Sequence, residues 1–160
     1  MGESQLRRVR IDQAMFSMAF DRDVDFEDAY PVSTYLDLDS GEVMWVYEND
    51  DDAFADGGVP AEDNRTARER VTSYPDRFLE IPGLEHSEHH DLLQEFLYSG
   101  WTDDPDQHAR AVHAYSGSIG RWKRSVDDDA INSFYEYVER RTLELAEAHL
   151  REHGVEPEWI

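Results

Sequence analysis

The chain has 160 residues, no cysteine, and 37 Asp and Glu against 15 Lys and Arg, giving a formal net charge of -22. That length suits a single domain with a core of its own. The missing thiols exclude disulfides, thiolate catalysis, iron–sulfur clusters and cysteine-based zinc sites. A chain this negative repels phosphate backbones, so direct nucleic-acid binding through a positive groove is not expected.

Lys123 is the only lysine. Dense carboxylates with few lysine stems fit a soluble, salt-adapted acidic surface. The same charge also reads as a docking surface for a basic macromolecule, which screening opposes at high salt, where the Debye length is ~3 Å at about 1 M. No apolar run approaches the roughly 18 residues of a membrane span. The basic stretch Met1 to Arg10 leads into Asp12, Asp21, Asp23 and Asp25 instead of a secretory apolar segment, so cytoplasmic residence away from the membrane is expected.

In chain order, Ile11, Ala14, Met15, Met18 and Ala19 recur at helical spacing, with Phe16 and Phe20 widening the face and Asp12 as cap. Asp21 to Asp28 reads as a polar connection. Tyr35 to Asp39 and Glu42 to Tyr47 flank a Ser40-Gly41 turn and predict a β-hairpin. Alternation places Asp37 and Asp39 on one face, opposite Leu38. Residues 49–64 read as an acidic loop, and Thr66 to Tyr74 as one or two helical turns. Arg77 to Ile81, stopped by Pro82-Gly83, is a possible third strand.

The remainder reads as helical. Ser87 to Leu97 carries a stripe of Leu92, Leu93, Phe96 and Leu97. Asp104 as N-cap, Pro105 and Gln107 then specify the next helix by capping-box spacing. A short segment holds Ile119 and Trp122. Asp129 or a neighbouring aspartate caps a long final helix that buries Ile131, Phe134, Tyr135, Val138 and Leu145, with Leu143, Ala146 and Leu150 widening the stripe, and Gly154 ends it. The pattern predicts one α+β domain over residues 1–160: a small antiparallel sheet of two or three strands covered by about four helices.

Few residue constellations suggest chemistry. His86 and His90, at i and i+4, share a helix face beside Glu85, Glu88, His89 and Asp91, and imidazole with carboxylate suits zinc or iron. The order His86-Ser87-Glu88-His89-His90 is not that of a zinc hydrolase. The cluster also straddles a helix start, so the expectation is three solvent-facing histidines and no structural zinc. The triplets Asp50 to Asp52 and Asp127 to Asp129 lack the glycine and terminal glutamate of a calcium loop and read as helix-start aspartates. Gly117-Ser118-Ile119-Gly120 lacks the spacing of a phosphate-binding loop, and no serine sits in a nucleophile elbow. Trp45, Trp101, Trp122 and Trp159 read as packing anchors and not as base-stacking platforms.

Four blocks together carry a resemblance: the hairpin Tyr35 to Val46 with its Leu36-Asp37, Gly41-Glu42-Val43 and Trp45-Val46; Arg77-Phe78-Leu79-Glu80-Ile81-Pro82; Gly117-Ser118-Ile119-Gly120-Arg121-Trp122-Lys123; and Phe134-Tyr135-Glu136-Tyr137 with Gly154-Val155-Glu156-Pro157. In order and spacing they resemble the uncharacterised bacterial family UPF0158. The resemblance implies a self-contained α+β domain and no particular reaction. It points to Arg121, Trp122 and Lys123 as the polar-aromatic cluster of interest. Ile119 and Trp122 stand where that family has phenylalanines, and Gly120 where it has an arginine, which removes one half of a paired-arginine anion site.

The expectation is therefore a non-enzymatic interaction or regulatory protein without a cofactor, with a protein as its possible partner. The alternative is an enzyme or small-anion-binding domain with a pocket between sheet and helices near Arg121 and Lys123. Trp122 should be a buried anchor against the final helix, with the two cations snorkelling beside it or forming a contact for an anion or a partner.

Overall fold

The computed structural model describes residues 6–22 and 30–160; residues 23–28 of the predicted polar connection lie outside them. The fold is α+β. Among the described residues there are seven helices, a three-stranded antiparallel sheet and a two-stranded parallel sheet. They divide into two compact units. One holds the described residues up to Leu84 together with Leu145–Ile160, and the other is Glu85–Glu144.

The first unit contains all five strands. β1 (Arg7–Ile11) pairs in parallel with β5 (Val155–Trp159), Arg7 opposite Val155 and Ile11 opposite Trp159. Val9, Ile11 and Val155 point inward while Arg8 and Arg10 face water, the two-residue period of a half-buried strand. Ile11 therefore ends a strand and does not open the first helix. β2 (Val32–Asp37) is the centre of the antiparallel sheet, between β3 (Val43–Tyr47) and β4 (Phe78–Ile81). The predicted hairpin and third strand are thus both present, and the third strand joins the edge that β3 leaves open. Gly41, at φ 79°, makes the turn; a Cβ there would lie 1.7 Å from the Arg10 carbonyl oxygen, so only glycine fits.

α1 (Gln13–Phe20) is capped by Asp12, whose carboxylate accepts from the Met15 N–H at 3.1 Å. It buries Phe16, Ala19 and Phe20, with Phe16 against Trp159 at 5.6 Å between ring centroids. Met15 and Met18, expected on that face, are exposed, because the strand takes Ile11 and the buried side turns with it.

Residues 49–64 are not a loop. Asn49 caps α2 (Asp50–Gly57), three aspartates fill its first turn where the helix dipole favours them, and Gly58 in the left-handed region ends it; α3 (Ala61–Ser73) follows. The fully buried Asn64 of α3 accepts from the Tyr47 N–H at 2.9 Å and donates to the Tyr47 carbonyl at 3.0 Å, closing part of the outer edge of β3 as a strand would.

The second unit is helical: α4 (His86–Leu97), α5 (Pro105–Ala114), α6 (Ile119–Ser125) and α7 (Asp128–Glu152) through Glu144. Seven helices replace the four expected. Of the later ones, α4 to α6 and the first half of α7 share a core. That core is Leu93, Phe96, Leu97, Ala111, Trp122 and Phe134. The capping box belongs to α4, where the Glu85 N–H donates to Glu88 at 3.1 Å. At α5 Asp104 caps alone, and Gln107 instead accepts from Thr102 at 2.6 Å. α7 is capped by Asp127, which accepts from the Ala130 N–H at 2.9 Å. Tyr135, assigned to its buried stripe, is 51% exposed.

Candidate functional site

The candidate cluster sits on α6. Ser118 caps the helix by accepting from the Arg121 N–H at 3.2 Å. Trp122 is fully buried, its indole N–H donates to the Ala111 carbonyl at 2.9 Å, and its ring meets Phe134 edge-on at 5.2 Å and Phe96 at 6.1 Å. Holding one side of so short a helix inward leaves Arg121 and Arg124 exposed and Lys123 half-exposed.

The charges around α6 are not used as they are elsewhere. In the sheet unit, Arg7, Arg8, Arg65, Arg68, Arg77 and Arg151 have carboxylate partners, whereas Arg10, Arg22 and Arg70 have none among the described residues. The tightest set is Arg77 with Asp37: two hydrogen bonds of 2.9 Å converge on a carboxylate that is 2% exposed. That guanidinium holds the Asp37 carboxyl far below the usual carboxylate range, against the opposing effect of burial. Asp39, which stands in the turn and not in the strand as expected, also reaches Arg77, at 3.3 Å, so one arginine holds both aspartates. Asp50, from the first triplet, is likewise tied to Asn64, Arg65 and Arg68, and its pKa is lowered by the Asn64 hydrogen bond and then by Arg68.

In the helical unit, Arg110, Arg121, Lys123, Arg124, Arg140 and Arg141 are the cations, and among the described residues only Arg141 has a carboxylate partner. Lys123 places its ammonium over the Tyr135 ring at 5.0 Å and over Phe134 at 5.9 Å. The Arg124 guanidinium lies beside Gly120, where an added Cβ would stand 3.6 Å from its Nη1. Arg110 lines a cavity of about 320 Å³ with Gln107, Ser125, Val126 and Asp127.

The sequence singled out Arg121, Trp122 and Lys123, and α6 carries all three, but Trp122 is core and not contact surface. Arg124 and Tyr135 were missed. Arg124 could have been found by its i, i+3 spacing from Arg121, whereas residues two apart, Arg121 and Lys123, do not face each other. All of these residues belong to the helical unit and every strand to the other.

No family model matches the chain, and no curated protein or solved structure matches it.

His86 and His90 do meet. Their Nε2 atoms are 3.0 Å apart, and the Nδ1 of His90 is 2.5 Å from the Tyr115 hydroxyl. His86 is exposed, whereas His89 and His90 are half-buried and not solvent-facing as expected. Among the described residues no group of three His, Asp or Glu side chains is placed to hold a metal ion. No described helix is long and apolar enough to cross a membrane.

Proposed function

We infer that the protein is a non-enzymatic interaction protein that contacts an acidic segment of a partner through the outer face of α6. The observation that carries this reading is the set Arg121, Lys123 and Arg124, without carboxylate partners among the described residues of a strongly acidic chain and mounted on a fully buried tryptophan. Exposed cations in so acidic a protein cost little to pair internally, and six of the nine arginines of the sheet unit are so paired. Leaving three on one rigid turn keeps them for an external anion. Tyr135, half exposed beside Lys123, adds the amphipathic aromatic surface that interface centres favour. The rest of the acidic surface we read as salt adaptation in a cytoplasmic protein, and its long-range repulsion of an acidic partner collapses as the Debye length shortens.

The test is affinity capture at native salt with the wild-type chain and with the triple variant Arg121→Glu, Lys123→Glu, Arg124→Glu. A partner recovered by the first and lost by the second supports the reading. The same recovery with both overturns it.

The rival is an enzyme or small-anion-binding domain. Its favouring observation is that Arg121 and Arg124 share a helix face, with Arg124 over Gly120, which restores a paired-arginine face by another route. Inorganic phosphate followed by chemical-shift changes separates the two: saturable shifts at both arginines support the rival, and none supports the partner surface.

A further inference from the structure

Two imidazole nitrogens that point at one another across a helix turn need something between them. Between His86 and His90 the separation is 3.0 Å from Nε2 to Nε2, with the rings edge to face at 4.5 Å between centroids. A shared proton satisfies that geometry, and so does a metal ion. We propose that His86 and His90 form an exchangeable two-histidine clamp for a late first-row divalent ion of square-planar or tetragonal preference, copper(II) above nickel(II), and not for zinc.

The bite of the pair selects the ion. With metal–nitrogen bonds of about 2.0–2.1 Å, a 3.0 Å separation subtends roughly 95° at the metal. That is the angle between neighbouring positions of a square plane or an octahedron, and it is narrow for the tetrahedron zinc prefers. Copper(II) also heads the affinity order of these ions for nitrogen ligands.

The surroundings support ligation by His90 in particular. For its Nε2 to offer a lone pair, its Nδ1 must carry the proton, and the Tyr115 hydroxyl at 2.5 Å is there to accept it. Tyr115 caps the C-terminus of α5 and is itself partly buried against the helical core, so it fixes the ring of His90. His86 opens α4 just behind the capping box of Glu85 and Glu88, which fixes the backbone of that turn. Glu85, Glu88 and Asp91 raise the local concentration of cations without completing a cage. With two protein ligands among the described residues, the remaining positions on the metal are open to water or to a further ligand. This makes the clamp a labile site and not a resident cofactor. The other i, i+4 pair is built differently: the Nδ1 of His153 lies 2.9 Å from the His149 carbonyl, and burial beside His153 lowers the pKa of His149.

The experiment is titration of the chelator-stripped full chain with copper(II), read by electron paramagnetic resonance and calorimetry, with zinc(II) in parallel. One copper equivalent should bind with two nitrogens in its equatorial plane and at least tenfold more tightly than zinc. His86→Ala or His90→Ala should abolish the two-nitrogen spectrum while leaving the far-ultraviolet circular dichroism unchanged. Tyr115→Phe should weaken copper by about tenfold, the scale of a lost partner behind a metal-bound imidazole, and His153→Ala should change nothing. Copper held equally by wild type and by the two His→Ala variants would overturn the proposal, as would zinc binding as tightly as copper.

Discussion

Replacing Trp122 by alanine removes the largest fully buried side chain in the protein. The lost contacts are those with Phe134 at 5.2 Å and Phe96 at 6.1 Å, and the Ala111 carbonyl loses its indole donor at 2.9 Å. Truncating a buried aromatic of this size costs about 3–5 kcal/mol, and a buried carbonyl left without its donor costs about 1–3 kcal/mol where no water replaces it. Part of the second figure is already inside the first. An overall loss near 4–5 kcal/mol is the expectation, a large share of the roughly 5–15 kcal/mol that holds a domain together.

Trp122→Phe keeps an aromatic edge for Phe134 and gives up the hydrogen bond, so it should lose about 1–3 kcal/mol. Arg121→Ala, on the exposed side, should stay within about 0.5 kcal/mol of the parent. Lys123→Ala gives up its place over Tyr135 and should lose about 0.5–1 kcal/mol. Urea melts of the four variants by circular dichroism, at one fixed salt concentration, test the order alanine, phenylalanine, lysine variant, arginine variant. A Trp122→Ala protein within about 1 kcal/mol of the parent would refute the reasoning, and so would an Arg121→Ala protein that loses as much as it does.

Gly41→Ala should cost more than about 2 kcal/mol by the same melts, because the new Cβ meets the Arg10 carbonyl oxygen at 1.7 Å and the residue must hold φ 79°. Asp37, whose folded pKa is depressed by Arg77, contributes stability that is complete above the unfolded value of about 3.9 and is lost as pH falls toward the folded value. Acid titration of stability should therefore fall less steeply below about pH 4 in Asp37→Asn than in the parent, and equal slopes would count against the pairing. The Tyr47 phenol, pushed up to about 12 by burial and by its 2.6 Å hydrogen bond to Asp56, should ionise above the ordinary tyrosine value of about 10 in an ultraviolet pH titration, and its contribution to stability, complete below about 10, should be lost as the pH rises from there toward the folded value. Unfolding midpoints should rise between about 0.1 and about 3 M KCl as carboxylate repulsion is screened; a flat or falling curve refutes salt adaptation.

What the sequence disclosed followed from local signals that agree with one another. The hairpin was legible because Gly41 sits between two alternating runs, and α5 because Asp104 and Pro105 mark its start within two residues. β1 and β5 were not. Arg7 to Ile11 alternates correctly, but three arginines in five residues read as a charged terminus, and Pro157 in the middle of β5 argues against a strand anywhere but on an edge, which is where it lies. Their pairing is parallel and distant, so neither strand carries a sign of the other. α2 was masked by its composition, since its aspartates favour a helix start as much as a loop. At the candidate site the sequence placed Arg121 and Lys123 on the surface of a short helix and Trp122 beneath it. It could not show that their charges stand unpaired, because pairing is decided by which carboxylates the fold brings near.

The parallel pairing of β1 with β5 also sets an order of events during synthesis. Val155, the register partner of Arg7, lies roughly 150 residues further along the chain. At a typical ~5–20 residues per second, β1 waits for roughly 7 to 30 seconds without its partner. The helical unit, whose contacts are closer in sequence, is complete first. The nascent chain thus spends that interval with the β5-facing edge of β1 unpaired, an edge open to other chains until β5 emerges.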